Sequence, residues 1–325
     1  RRAADEGLRV VILCFNRPMA HKLKTETQDD APLLIGGGIH SCLANMLDIE
    51  IPENAGTEFW DFGFLDAAEE RLLDEERTFE CQFDVLVIDE VQDLLARPRL
   101  LDVVECLLRG GFHDGKWLLA GDFNYQIFAN DELRALAVEK LDLLREIPRV
   151  QYYRLDENCR NYRMVGQPAL NLAGMPSEDV YSDFMRGDGE HSFFNPKYYS
   201  KDNQQLDLLI SEIKSYVNAG TALNDITVLS FRTADKSVAA ELVESDIPTR
   251  RIGQDRNGVG YGSIYEFKGL ESRVVILTDV KQPTSQLEKD LFYVGMTRAL
   301  FSVSILVPQS DQSWFVSAVH GDNDE

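Results

Sequence analysis

The sequence predicts an α/β protein with parallel sheets, arranged as two domains. Three observations carry this expectation. Short apolar runs recur along the chain, each followed by polar or helix-like sequence, and strands alternating with helices imply parallel layers. The 325 residues, 44% of them hydrophobic, suffice for two buried cores. Acidic or polar residues stand at the ends of several apolar runs, where open α/β sheets bind ligands.

The N-terminal stretch "RRAADEGLRV" has no apolar core of a signal peptide. It reads as the end of a helix running through Gly7 into a strand, so residues upstream of Arg1 are expected. Strands are predicted in "LRVVILCF" (8–15), "PLLIG" (32–36), "FDVLVIDE" (83–90) and "KWLLAGD" (116–122). The rhythm repeats in "QYYRL" (151–155), "DITVLSF" (225–231), "RVVILTD" (273–279) and "SVSILV" (302–307). Helices are predicted in "QLDLLISEIKSYV" (205–217) and "SVAAELVES" (237–245). A boundary near 148–152 gives domains 1–150 and 151–325. Segment 180–203 has no clear period and reads as loop-rich, and the tail "GDNDE" as frayed.

The formal charge is −22, acidic for a nucleic-acid binder, so any such binding is expected to be salt-sensitive and to use a local basic groove. The five cysteines are odd in number and form no CxxC, and several lie in apolar runs; reduced, buried thiols and a cytoplasmic location are expected. No apolar run approaches the ~20 residues of a membrane span, so no membrane role is expected.

Five stretches carry candidate chemistry, and each has a plainer reading. In "VLVIDEVQD" (85–93), Asp89 at a strand end suits Mg²⁺ held through water, with Glu90 polarising a water toward a γ-phosphate; alternatively the acids cap the next helix. In "WLLAGDFNYQIF" (117–128), Gln126 suits a γ-phosphate sensor and Phe128 a base-stacking ring, or both belong to a turn and a core. "YRLDENCRNYR" (153–163) offers Arg160 and Arg163 to a phosphoryl group or to surface ion pairs. "SIYEFKGLESRVVIL" (263–277) and "LFYVGMTRALFSVSIL" (291–306) each place polar residues, the latter Arg298, just before a strand.

Taken in order, these stretches resemble the superfamily 1 helicases of the UvrD/Rep type: "VLVIDEVQD" is similar to motif II, "GDFNYQIF" to motif III, "LDENCRNYR" to motif IV, "SIYEFKGLE" to motif V and "LFYVGMTRA" to motif VI. "VVILCFNRPMAHKL" is similar to motif Ia, and "IHSCLANML" (39–47) to the motif that follows it. The resemblance implies two RecA-like P-loop NTPase domains with ATP and Mg²⁺ in the cleft between them. It implies Asp89 on Mg²⁺, Glu90 activating water, Arg160 (Arg163 in reserve) and Arg298 on the γ-phosphate, and Gly269 with Glu271 at the nucleotide sugar. Phe15, Asn16, His40, Ser41, Phe128 and Tyr265 match positions that meet single-stranded DNA, with RNA the alternative, and the implied motor is a 3′→5′ translocase or helicase.

Four departures qualify that expectation. Tyr125 takes the usual place of the motif III Gln, with Gln126 next to it, and Tyr265 replaces the motif V His. Inserted subdomains are small or absent, since Asp84 follows His40 by only 44 positions. A GxxxxGK[ST] loop occurs nowhere: Gly253 and Gly258 have the glycine spacing, but Val259 and Gly260 follow, and "GGGIH" (36–40) has no lysine. The expectation is therefore a motor core whose phosphate-binding loop lies upstream of Arg1, inactive by itself; a non-catalytic helicase-like scaffold is the alternative. The small inserts also suit a compact translocase attached to a nuclease or other domain.

Overall fold

The computed structural model describes residues 1–28, 33–123, 131–175, 180–188, 193–201, 203–254 and 256–321. The chain forms two compact units, whose described residues lie within 1–153 and within 154–321.

The first unit is a four-stranded parallel sheet of β1 (Val10–Cys14), β2 (Leu34–Gly38), β3 (Val85–Ile88) and β4 (Lys116–Leu119), in the order β2-β1-β3-β4. Branched and aliphatic side chains on β1 and β3 suit strands covered on both faces. Helix α1 (Arg17–Thr27) follows β1, its start capped by Asn16, whose Oδ1 accepts from the Met19 amide at 3.0 Å. Helix α2 (Ile39–Leu47) follows β2, and α3 (Phe64–Leu72), α4 (Glu75–Cys81) and α5 (Pro98–Leu107) lie between β2 and β4. Leu13, Leu43, Phe64, Leu86, Ile88 and Val104 form the centre of the core. Helix α6 (Asp131–Arg145) closes the unit. At the start of the sheet Asp84 accepts from the Arg9 amide at 2.9 Å and from Arg109 at 2.5 Å, fixing β1 against β3.

The second unit is a six-stranded sheet, every pair parallel: β5 (Phe193–Tyr199), β6 (Ile226–Ser230), β7 (Thr249–Arg251), β8 (Val259–Ser263), β9 (Ser272–Thr278) and β10 (Ala299–Pro308), ordered β5-β10-β9-β6-β8-β7. Helices α7 (Arg163–Leu172), α9 (Gln286–Thr297) and α10 (Gln312–His320) share one core with β9 and β10; α8 (Asn203–Asn218) covers a second one.

Four local expectations are corrected. Of the five cysteines, expected to be buried, Cys14 and Cys42 are; Cys81 is half-buried, and Cys106 and Cys159, outside the strands, are exposed. Residues 151–155 form no strand: Tyr153 and Leu155 are exposed, Tyr152 lies under the Arg145 guanidinium at 4.0 Å, and aromatic propensity is not realised without a partner strand. The loop-rich reading of 180–203 misses β5, which tolerates Pro196 because it lies at the edge of the sheet. The helix predicted over 237–245 is a 3₁₀ helix, Val238–Glu244. The Gly253–Gly258 stretch leads into strand β8, not into a helix. Among the described residues, no helix is long and apolar enough to cross a membrane.

Candidate functional site

In the first unit the candidate residues stand at or just beyond the carboxyl ends of the parallel strands, where open α/β sheets bind ligands. Asp89 and Glu90 follow β3, and the Asp89 amide donates to the Leu13 carbonyl at 3.0 Å, so the acid pair is anchored to the end of β1. Asp89 Oδ1 accepts from the Glu90 amide at 3.0 Å. Glu90 has φ of +55°, a left-handed conformation that costs a non-glycine residue about 1–2 kcal/mol. Its Oε2 accepts from Gln92 Nε2 at 2.5 Å. Gln92 is fully buried, and its Oε1 lacks a hydrogen-bond partner among the described residues. Burial, and after it the charge of Asp89, pushes the neighbouring Cys14 thiol up to about 12, so it stays protonated.

Phe15 and His40, contributed by the ends of β1 and β2, meet edge to face at 5.7 Å. His40 also meets Trp60 at 5.3 Å and Phe64 at 5.2 Å, and the Arg97 guanidinium lies 4.7 Å from the Phe15 ring centre. Ser41 is exposed in the first turn of α2, whereas the Asn16 side chain is engaged as a helix cap. Trp60 and Arg97 were not among the sequence candidates. The aromatic density of "FWDFGF" (59–64) was a usable signal for the first; Arg97 had none. Gln126 and Phe128, with Tyr125, lie outside the described residues.

The second unit departs from the carboxyl-end rule. Arg160, Glu271 and Arg298 gather at the amino ends of β9 and β10, because Glu271 directly precedes β9 and Arg298 directly precedes β10. Arg160 Nε lies 3.5 Å from Glu271 Oε2. Arg298 is buried at the end of α9, its Nε donating to the Val294 carbonyl at 3.2 Å and its Nη1 to the Leu270 carbonyl at 3.4 Å. Gly269, with φ of +78°, makes the turn that presents Leu270 and Glu271. Arg163 is set apart from this group, paired with Asp183 at 2.5 Å and Asp188 at 3.4 Å.

Beside Glu271 lies a cavity of about 650 Å³, lined by Arg186, Arg250, Arg273, Asp225, Thr227 and Phe301 among others. Three arginines against two acids make it a locally basic hollow in an acidic chain. Tyr265 stands at the opposite, carboxyl end of the sheet, just after β8. It is half-exposed, and burial of its ring, then the charge of Glu288, raises its hydroxyl above the ordinary range. The short segment 264–271 therefore crosses the sheet from one edge to the other.

A metal or nucleotide must fit these residues. Among the described residues no three His, Cys, Asp or Glu side chains gather as a metal cage. A single strand-end carboxylate such as Asp89 still suits Mg²⁺, which keeps several waters and takes phosphate oxygens as ligands.

Among known proteins, a solved C-terminal domain of a possible DNA helicase from Lactobacillus plantarum WCFS1 aligns over 46% of this chain and 87% of its own length, at 13% identity and a TM-score of 0.37. No curated protein matches the chain. The profile of the UvrD-like helicase C-terminal domain matches residues 261–306, which run from β8 through the Glu271 turn, α9 and most of β10. That match lies wholly within the second unit, so the segment 261–306 is similar to the C-terminal domain of UvrD-like helicases.

Proposed function

We propose that this chain is the motor core of an ATP-dependent translocase or helicase acting 3′→5′ on single-stranded DNA. The observation that carries the reading is the convergence of Arg160, Glu271 and Arg298, from three separate sequence stretches, at one edge of the second sheet. Arginines held near a carboxylate suit a polyphosphate with a sugar attached.

In this reading Arg160 and Arg298 stabilise charge on the γ-phosphoryl group, Glu271 and the Gly269 turn meet the sugar, and Arg163, paired with Asp183 and Asp188, stays in reserve. Each half of the nucleic-acid and nucleotide work then falls on opposite edges of the second sheet, and segment 264–271 links Tyr265 to Glu271. In the first unit Asp89 would hold Mg²⁺, which when bound neutralises charge on the phosphates; Glu90 takes the proton of the attacking water. Its left-handed backbone and the Gln92 hydrogen bond aim its carboxylate. Phe15, His40 and Trp60 form an aromatic group suited to stacking on bases, with Arg97 beside it for backbone charge. The two units are read as RecA-like domains, and Gln126 and Phe128 keep the roles of sensor and stacking ring.

The 325 residues contain no GxxxxGK[ST], the loop whose amides and lysine grip phosphates, so by themselves they should hydrolyse ATP negligibly. Filter or anisotropy binding of labelled single-stranded DNA tests the other half of the reading. Binding is expected, weakened several-fold in Phe15→Ala; retention of full affinity in both Phe15→Ala and Tyr265→Ala sinks the DNA reading and favours a scaffold with another partner.

A further inference from the structure

Arg160 and Arg298 are far apart in sequence, yet their backbones are tied by side chains that the proposed chemistry does not use. Asn161 is almost fully buried, and its Nδ2 donates to the Thr297 carbonyl at 3.1 Å and the Ala299 carbonyl at 2.8 Å, the two residues flanking Arg298. Asn158 holds that amide in place: its Nδ2 donates to Asn161 Oδ1 at 3.2 Å, and its Oδ1 accepts from the amides of Arg160 and Asn161 at 3.0 and 2.8 Å. A second tie comes from Arg186, whose Nη1 donates to the Arg160 carbonyl at 2.7 Å and to the Leu300 carbonyl at 2.6 Å, while its guanidinium lies 4.0 Å from the centre of the Tyr162 ring. The ring of contacts closes through the other motif: Arg298 holds the Leu270 carbonyl, and the next residue, Glu271, faces Arg160.

We infer that Asn161 and Arg186 are positioning residues that fix the spacing between Arg160 and Arg298. The inference rests on the proposed role of those two arginines toward a polyphosphate. One side-chain amide bridging the carbonyls on both sides of an arginine restricts how that arginine's backbone can turn. A guanidinium shared between the two segments restricts how far they can separate. Neither is needed to bury apolar area, and transition-state charge is stabilised only by donors already in place.

The test uses the 325-residue chain and two readouts. Hydrogen exchange reads the tie itself. In Asn161→Asp, nearly isosteric but presenting a carboxylate to two carbonyls, amides of 158–161 and of 299–301 should lose protection together, by about tenfold, with α8 unchanged. Arg186→Lys, which keeps the charge and loses the fork, should do the same to a smaller extent and serves if Asn161→Asp fails to fold. Loss confined to 158–161 in both variants overturns the inference. Titration with inorganic tripolyphosphate at low salt reads the consequence. Asn161→Asp and Arg160→Ala should each weaken binding about fivefold or more, and the double variant no more than Arg160→Ala alone, because the first residue acts through the second. Additive losses overturn the inference. Arg160→Ala binding as well as the parent, with coupled exchange intact, instead overturns the phosphate role of Arg160 and leaves the tie standing.

Discussion

Gln92 shows how much of a site can hang on one side chain. It is fully buried, its nitrogen is spent on Glu90, and its oxygen faces the Gly121 backbone so closely that a Cβ there would lie 2.6 Å away, with Val91 Cγ1 at 3.0 Å. Gly121→Ala should therefore cost about 1–3 kcal/mol in urea unfolding, as overpacking does, and a neutral result would mean that Gln92 is free to move. Glu90 carries the opposite signature. Its positive φ is strained for a non-glycine residue, so Glu90→Gly should be more stable than Glu90→Ala by about 1 kcal/mol, both having lost the Gln92 hydrogen bond, and equal stabilities would refute that strain. The place of the acid pair was legible in the sequence because an apolar run ending in two carboxylates marks the end of a strand. Gln92 was not, because a glutamine two residues on has no period or charge to mark it. Arg160 and Arg163 were legible as a pair of candidates, and their partners, Glu271 for the first and Asp183 with Asp188 for the second, were not.

At the scale of elements, the strands that were readable are those rich in Val, Ile and Leu, such as β3 and β9. The strands that were not readable lack that composition: β8 is "VGYGS", buried along its whole length yet glycine-rich, and β5 carries Asn195 and Pro196 at the sheet edge. Helix α9, which delivers Arg298, is set by its start. Ser285 Oγ accepts from the Glu288 amide at 3.3 Å, and Glu288 Oε2 accepts from the Thr284 amide at 2.6 Å and its hydroxyl at 2.8 Å. The Lys281 ammonium, then the Thr284 amide and hydroxyl, hold the Glu288 carboxyl at about 2, against an ordinary 4.5. A depressed folded-state value stabilises above the ordinary value and is lost as pH falls through the folded one. The contribution of Glu288 should thus be complete above about pH 4.5 and vanish on acidification toward 2. In Glu288→Gln the thermal midpoint should fall relative to the parent at pH 7, with the gap closing across that window. A gap that stays constant would assign the loss to something other than ionisation. Ser285→Ala should cost about 1 kcal/mol by the same assay.

At the scale of the molecule, a chain of charge −22 must bind a polyanion through local basic groups against an unfavourable overall field. Affinity for single-stranded DNA should fall at least about tenfold between 50 and 200 mM salt, as it does when a few phosphate contacts release counterions. A salt-independent affinity would point to stacking alone or to another ligand. Two parallel sheets, each with polar residues at one edge, were legible from the alternation of apolar runs with helices; the amino-edge site of the second unit was not, because ligands in such sheets usually meet the other edge. The central claim is ATP-driven motor chemistry. Its most direct test is Mg·ATP hydrolysis, with and without single-stranded DNA, by the 325 residues alone and by the same chain preceded by a strand, a GxxxxGK[ST] loop and a helix. The account predicts negligible turnover by the first and DNA-stimulated turnover by the second, abolished by Glu90→Gln. Turnover by neither, or turnover indifferent to Glu90→Gln, would contradict it.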